Sequence, residues 1–163
     1  METIIVTGTP GTGKTCVAKA ICQKLDYKLV DVKRLIQRGN ISSGFDKKRQ
    51  CEIVDVAKLN KELLKKIETN KKGIVIDSHL SHYLPSEKVD LCIVTKCGLK
   101  ELKKRLEKRG YNAAKVRENL DCEIFDICYN EALENGHNII VVDTTKGIDI
   151  VKLIGVLKKA KIH

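Results

Sequence analysis

The stretch that decides the fold runs from Thr3 to Thr15 and reads TIIVTGTPGTGKT. Its second part is a glycine, four residues and then Gly-Lys-Thr, which is the spacing of a phosphate-binding loop. In such a loop, glycines such as Gly11 and Gly13 adopt backbone angles that turn successive N–H groups towards an anion. Lys14 would bring a positive charge to the outer phosphates, and the Thr15 hydroxyl would bind Mg²⁺.

The residues on either side of the loop support this interpretation. Thr3–Thr7 is short, β-branched and apolar, as expected of a buried parallel strand. Lys14–Leu25 is predicted to be a helix, because its apolar side chains recur on one face. Phosphates in the loop would then lie at a helix N-terminus, where unpaired N–H groups and the helix dipole favour negative charge. A chance glycine-rich turn would match the loop pattern without this context.

Strand and helix signals alternate along all 163 residues. They predict a single domain, residues 1–163, with a three-layer α/β fold in which helices flank a five-stranded parallel sheet, the P-loop NTPase fold. The predicted strands are Thr3–Thr7, Lys28–Val32, Ile74–Asp77, Val89–Thr95 and Asn138–Val142. The predicted helices are Lys14–Leu25, Glu52–Glu68, Leu99–Arg109, Ala113–Glu134 and Ile148–Ala160, with a helical turn at Lys33–Arg38.

Local patterns add detail to this prediction. The composition of Asn40–Asp46 is typical of a mobile loop. Helical spacing predicts a core-facing stripe in the helix after the fourth strand, formed by Leu99, Leu102 and Leu106. It predicts a second buried stripe in the long helix that follows, formed by Val116, Leu120, Ile124, Ile127 and Cys128.

Charge is distributed unevenly along the chain, whose formal net charge is +10. Lys96–Arg117 holds nine basic and two acidic residues, and Lys33–Arg49 holds six basic and one acidic. Glu118–Asn135 holds six acids and no lysine or arginine. A basic excess is consistent with an ordinary solvated surface. It is equally consistent with two segments that face the phosphates of nucleotides or RNA.

The seven cysteines are odd in number and form no Cys-x-x-Cys pair. We therefore expect reduced thiols in a cytoplasmic protein rather than disulfides or a zinc site. No run of 18 apolar residues predicts a transmembrane helix, and no membrane partner is expected. Because the first strand begins at the start of the chain, no signal peptide is expected.

The third predicted strand, Ile74–Asp77, is apolar until its last residue. A carboxylate at the C-terminal end of a parallel strand would lie beside the phosphate loop and hold Mg²⁺ directly or through water. The alternative is a plain helix or turn cap. His79 points the same way as Asp77 if the strand continues, whereas a surface or structural role is expected for His82.

An insert after the second strand and an arginine-rich turn after the fourth suggest a nucleoside monophosphate kinase. The insert, about residues 31–54, would close over the acceptor, and the turn, about residues 108–118, would form a lid over the transferring phosphoryl group. Such a transition state carries negative charge, so cations must surround it. Arg105 and Arg109 lie one helical turn apart. Phosphate contact is predicted for Arg109, beside Gly110, with a solvated surface charge as the alternative.

Four segments resemble the adenylate kinase isoenzyme 6 family, the nuclear and archaeal adenylate kinase type involved in maturation of the small ribosomal subunit. They are the phosphate loop, Asp77-x-His79, RLEKRGYN at 105–112 and ENLDCEI at 118–124. The resemblance extends over nearly the whole chain. It implies ATP and Mg²⁺ as cofactors, transfer of the γ-phosphoryl group of ATP to AMP to give two ADP, and some ATP hydrolysis. It also implies a small-subunit ribosomal protein and rRNA as partners.

The resemblance assigns roles to single residues. The residues that it implies around the ATP phosphates are Gly11, Gly13, Lys14, Thr15 and Cys16, the last through its backbone N–H. Arg109 would be the lid arginine on ATP, and Lys14, His79 and Arg109 would form the catalytic set. Thr15 and Asp77 remain the expected metal ligands. His79 would either polarise a water for hydrolysis or organise the Mg²⁺ shell.

The chain departs from ordinary adenylate kinases where the acceptor phosphate binds. It lacks their Asp-Gly-Phe-Pro-Arg segment after the third strand and reads DSHLSHYLP from Asp77 onwards. Gln37 stands where related members can carry an arginine. Either Arg34 or Arg38 could take that place, and the sequence leaves the choice open.

Three functions remain open at this point. The first is an adenylate kinase, and the second is an ATP-dependent ribosome assembly factor whose kinase turnover is incidental. The basic excess fits the second slightly better. A kinase for another small alcohol such as shikimate is the weakest, because the segment Asp31-Val32-Lys33 offers one carboxylate only.

Overall fold

A parallel sheet of five strands forms the centre of the part of the chain that the computed structural model describes, residues 2–39, 41–48 and 51–160. The strands in chain order are β1 (Thr3–Thr7), β2 (Lys28–Asp31), β3 (Ser42–Asp46), β4 (Cys51–Val54), β5 (Ile74–Asp77), β6 (Leu91–Lys96) and β7 (Ile139–Asp143). The sheet has the order β2-β5-β1-β6-β7, and β3 and β4 form a separate pair. The predicted α/β architecture is confirmed.

Helices cover both faces of the sheet. They are α1 (Lys14–Leu25), α2 (Val32–Arg38), α3 (Val56–Thr69), α4 (Leu99–Lys108), α5 (Ala113–Ile124), α6 (Ile127–Glu134) and α7 (Ile150–Ala160). One apolar core lies between the sheet and α2, α3 and α6, around Leu59 and Leu63. The other lies between the sheet and α1 and α7, around Ile21 and Leu157. None of the helices in the described ranges is long and apolar enough to cross a membrane.

Strand β1 lies at the centre of the sheet, and every one of its five residues is buried. It pairs in parallel with β5 on one side and β6 on the other. The register sets Val6 opposite Asp77, so the end of β5 lies level with the start of the phosphate loop. The C-terminal ends of the three strands therefore meet at one edge of the sheet, where ligands bind in such folds.

The loop predicted at Asn40–Asp46 and the helix predicted from Glu52 are both wrong in part. Ser42–Asp46 and Cys51–Val54 pair as an antiparallel hairpin, while Asn40 lies outside the described residues. The helix begins only at Val56, because the Asp55 carboxylate accepts a hydrogen bond from the Lys58 N–H at 3.0 Å and caps it. Ile53 falls within the range of the predicted helix, but it lies in the hairpin and is half-exposed.

The long helix predicted at Ala113–Glu134 is two helices, α5 and α6. The break lies at Phe125 and Asp126, where Asp126 has a left-handed backbone with φ of +52°. The Asp126 carboxylate pairs with Lys96 at the end of β6, and this contact favours the break over a continuous helix. Ile124 and Ile127 flank the break and are exposed, so their predicted burial is wrong.

Smaller differences concern single positions. Leu99 is the first residue of α4 and is exposed, whereas Leu102 and Leu106 are buried between α4 and α5 as predicted. A helix end leaves its first side chain outside the core contact even when the spacing fits. Strand β6 begins at Leu91 rather than Val89, and β2 ends one residue earlier than predicted.

Candidate active site

The phosphate loop connects β1 to α1 and has a shape that only glycine allows at two positions. Gly8 and Gly11 have φ values of +140° and +93°. A Cβ at Gly8 would lie 2.5 Å from the Thr95 carbonyl oxygen, and one at Gly11 would lie 2.9 Å from Leu102 Cδ1. The backbone therefore approaches its neighbours too closely for any side chain.

Hydroxyl groups hold the loop from behind. Thr12 Oγ1 donates to the Thr9 carbonyl at 2.7 Å and lies 2.7 Å from Thr95 Oγ1. Thr144 Oγ1, beyond the end of β7, donates to the Thr12 carbonyl at 2.7 Å. Thr9 Oγ1 donates to the Glu123 carboxylate at 2.7 Å. All four threonines are buried, so hydrogen bonds within the protein fix the conformation of the loop.

Lys14 lies folded back onto its own loop. Its ammonium donates to the carbonyls of Gly8 at 2.8 Å and Thr9 at 3.1 Å. Burial lowers the pKa of Lys14 to about 8, and the charge of Arg109 acts in the same direction. The charges of Asp77 and Glu123 partly oppose this shift. A lysine with this pKa is still largely protonated at neutral pH.

Thr15 and Asp77 form the second part of the site. The Thr15 hydroxyl donates to the Asp77 carboxylate at 2.6 Å, although the two residues are 62 positions apart. Burial raises the pKa of Asp77, while the Thr15 hydrogen bond and the Lys14 charge counteract it. A hydroxyl and a carboxylate at one point are the oxygen donors that Mg²⁺ prefers, so this pair fits the expected metal.

His79 follows β5 without belonging to it, since the strand ends at Asp77. His79 is an exposed residue, yet the protein around its ring restricts water enough to lower the pKa of His79 to about 4. The charges of Lys14, His82 and Lys115 add to this shift. His79 is therefore neutral at physiological pH and able to accept a proton.

The two arginines of the helix before the lid have different environments. Arg105 donates to Thr144 Oγ1 at 3.1 Å and to the Thr144 carbonyl at 2.8 Å, and it pairs with Glu101. It therefore fastens α4 to the loop after β7. Arg109 ends α4 and is exposed, and within the described ranges its guanidinium has no hydrogen bond or ion pair. Its charge still reaches Lys14.

Cys16 occupies the first turn of α1, whose N-cap is Gly13. The thiol is exposed, and the Cys16 N–H donates to the Gly13 carbonyl at 3.1 Å. Contact of this N–H with a phosphate thus stays a prediction.

The acidic run at 118–135 contains residues that contact the phosphate loop and the elements around it, and sequence reasoning missed these contacts. Glu123 accepts from both Thr9 and the Cys97 N–H, and Asp126 pairs with Lys96. Glu131 lies 2.9 Å from the ring of His82. Three acids of this run thus point into the protein, and the absence of any lysine or arginine beside them was the available signal.

Helix α2 and its cap Asp31, within the insert, present their charged side chains to solvent. Arg34 pairs with Asp31 at 3.5 Å, and the Asp31 carboxylate caps α2 by accepting from the Arg34 N–H. Gln37 and Arg38 are exposed at the end of α2. Arg38 is therefore the arginine of this helix that a ligand would reach without breaking an observed ion pair.

The chain is similar in sequence to known protein families. A profile of the AAA domain family matches residues 4–126. An adenylate kinase isoenzyme 6 homologue of Caenorhabditis elegans is 33% identical over 132 residues, 81% of this chain and 72% of that protein. Its counterpart in Dictyostelium discoideum is 37% identical over 140 residues, covering 86% and 79%.

Solved structures show the same fold. Shikimate kinase from Acinetobacter baumannii, in complex with shikimate, matches with a TM-score of 0.69 at 14% identity, over 100% of this chain and 96% of that one. Identity this low carries the fold alone. The sequence relatives carry more, because they are 33% and 37% identical over 81% and 86% of this chain. The chain therefore belongs to the adenylate kinase isoenzyme 6 family.

Proposed function

We propose that this protein is an adenylate kinase that transfers the γ-phosphoryl group of ATP to AMP. The observation that carries the proposal is the placement of Lys14 beside the Thr15–Asp77 pair. The Arg109 guanidinium, which has no hydrogen bond or ion pair among the described residues, lies within electrostatic reach. The names of the sequence relatives support AMP as the acceptor and ATP as the donor.

In this proposal the loop binds the donor. Backbone N–H groups at the start of α1 face the β- and γ-phosphates, and Lys14 exchanges its two loop carbonyls for phosphate oxygens. Thr15 and Asp77 would hold Mg²⁺, which would supply positive charge to the phosphates of ATP. Because the loop is braced before ATP arrives, little reorganisation is needed at the moment of transfer.

An oxygen of the AMP phosphate attacks the γ-phosphorus of ATP, and the bond from that phosphorus to the β–γ bridging oxygen breaks. The electron pair stays on the β-phosphate of the departing ADP, and AMP becomes the second ADP. Lys14 and Arg109 stabilise the charge that spreads over the equatorial oxygens. Closure of the lid, about residues 108–118, excludes water that would otherwise compete with AMP.

The acceptor is proposed to bind in the insert, about residues 31–54. Arg38 is the favoured group for its phosphate, because Arg34 already pairs with Asp31. The exposed Phe45 of the β3–β4 hairpin offers an apolar surface in the same insert. Asp31 caps α2, and this use of the one carboxylate argues against a kinase for small alcohols.

A coupled assay tests the proposal directly. ATP consumption by the purified protein with Mg²⁺ is measured with and without AMP, and ADP is counted. We expect AMP to accelerate the loss of ATP and two ADP to form for each ATP. If AMP has no effect on either quantity, the adenylate kinase assignment is wrong.

A second candidate is an ATPase that assists maturation of the small ribosomal subunit, with a ribosomal protein and rRNA as partners. The supporting observation is the outer face of α4, where exposed basic residues have no evident role in nucleotide binding: Lys100, Lys103, Lys104 and Lys108. A neutral His79 beside Asp77 also suits a base that takes a proton from water. The free state of all seven cysteines supports a reducing compartment such as the cytoplasm.

Lys14→Ala is expected to lower kcat for phosphoryl transfer at least about 100-fold, because it removes a preorganised charge from the transition state. Circular dichroism should show an intact fold. Lys24→Ala, at the exposed end of α1, is the matched control and should retain full activity. Turnover close to wild type in Lys14→Ala would contradict the role of the loop.

Arg109→Ala is expected to raise the transfer barrier by about 4–7 kcal/mol, the 10³–10⁵-fold rate effect of an arginine finger. Steady-state kinetics with saturating ATP and AMP measure it. The control is Lys108→Ala, which removes an exposed charge one residue earlier. A loss below about tenfold in Arg109→Ala would indicate that this residue is a solvated surface charge rather than part of the transfer site.

His79→Ala is expected to lower ATP hydrolysis about 10²–10⁴-fold, the usual contribution of a general base. ATP affinity, measured by calorimetry, should change far less. Hydrolysis and affinity that fall by the same factor would indicate that His79 is structural.

A further inference from the structure

His82 links the beginning of the phosphate loop to helix α6. Its side chain is only 1% exposed. Nδ1 lies 2.7 Å from Thr7 Oγ1, and Nε2 lies 2.9 Å from the Glu131 carboxylate. The His82 carbonyl accepts hydrogen bonds from Asn135 Nδ2 at 3.0 Å and from His137 Nε2 at 2.9 Å. Both the ring and the backbone of His82 are therefore fixed in place.

The chemistry of the partners fixes the direction of these hydrogen bonds. An ionised carboxylate can only accept, so Nε2 of the neutral ring carries the proton and donates it to Glu131. Nδ1 is then an acceptor, and the Thr7 hydroxyl donates to it. Burial holds the pKa of His82 below its ordinary value although the Glu131 charge opposes this, so the neutral ring is the form present at physiological pH.

Thr7 lies directly before Gly8, whose carbonyl holds the Lys14 ammonium at 2.8 Å. The other carbonyl that holds Lys14 belongs to Thr9, and the Thr9 hydroxyl donates to Glu123 at 2.7 Å. One of the two carbonyls belongs to a threonine, and the other belongs to the residue that follows a threonine. Both threonines are anchored to the α5–α6 pair. Glu123 anchors Thr9 directly, and Glu131 anchors Thr7 through His82.

We propose that His82, together with Glu131, is a positioning residue for phosphoryl transfer that sets the Lys14 ammonium through Thr7 and Gly8. This inference rests on the proposed function, since it assigns Lys14 to the transition state. His82 itself touches no phosphate. Because the proposed lid, about residues 108–118, includes the first part of α5, the helix pair that continues from the lid also holds the loop.

The decisive variant is Thr7→Val, which removes one hydroxyl and keeps the shape of a fully buried side chain. Thr7→Ser restores the hydroxyl and should restore activity. Thr3→Val is the matched control, because Thr3 is a buried threonine at the opposite end of the same strand. Thermal melts establish that each variant is folded at the assay temperature, and rates are given per folded protein.

We expect kcat of Thr7→Val to fall about 10–100-fold, the usual cost of a small misplacement of a catalytic group. KM for ATP should stay nearly unchanged, because Lys14 contributes most to the transition state. Thr7→Ser and Thr3→Val should keep wild-type kcat. Wild-type kcat in Thr7→Val, an equal loss in Thr7→Ser, or an equal loss in Thr3→Val would overturn the proposal.

A second measurement does not depend on turnover. In a crystal structure of Thr7→Val without ligand, the Lys14 ammonium should no longer lie 2.8 Å from the Gly8 carbonyl oxygen. An unchanged contact between Lys14 and the Gly8 carbonyl would overturn the proposed relay, the chain of contacts from Glu131 through His82, Thr7 and Gly8 to Lys14, even if the protein has no AMP-dependent activity. Failure of the AMP assay alone would overturn the adenylate kinase proposal and leave the relay standing.

If Thr7→Val is unfolded at the assay temperature, the other end of the relay provides the test. Glu131 is partly exposed, and Glu131→Gln keeps an oxygen that accepts from His82 Nε2. Glu131→Leu removes that acceptor. We expect kcat and the contact between Lys14 and the Gly8 carbonyl to change in Glu131→Leu and to be retained in Glu131→Gln; equal behaviour of the two variants would contradict the proposal.

Discussion

The placement of the Lys14 ammonium is the constraint on which the rest of the structure depends. An ammonium at a partly buried site needs acceptors, and the Gly8 and Thr9 carbonyls supply them. These carbonyls face inwards only because the glycine backbone turns there and threonine hydroxyls hold the turn. The charge is therefore in place without a ligand, and a phosphate in the loop would exchange one set of oxygens for another.

The elements that sequence predicted well are those whose signals are local or follow from a general rule of sheet geometry. Strand β1, the loop and α1 lie at their predicted positions, because β-branched residues, glycines and helical spacing each act over a few positions. Asp77 lies beside Thr15 because parallel strands end at the same edge, and this needs no knowledge of side-chain contacts. The β3–β4 hairpin was missed because Ile53 and Val54 fit a strand and a helix equally well.

The acidic run shows where such reasoning ends. Read along the chain, Glu123, Asp126 and Glu131 look like an ordinary charged surface. In the fold they reach Thr9, Lys96 and the ring of His82, the first of these across 114 positions. No periodicity encodes these contacts, because they depend on how two helices cross the end of a sheet. The break at Asp126 was hidden for the same reason, since its partner Lys96 lies on another element.

Arg105 and Arg109 illustrate how structure separates residues that sequence makes equivalent. Both are arginines on one face of the same helix, but Arg105 is bound to Thr144 and Glu101. An arginine held by such contacts would have to break them to reach a ligand. The free energy lost with those contacts would reduce the free energy gained by binding the ligand. In the proposed function Lys14 acts from a fixed position in the loop, whereas a lid cation has to move onto its ligand. The exposure of Arg109 is consistent with the lid role proposed for it.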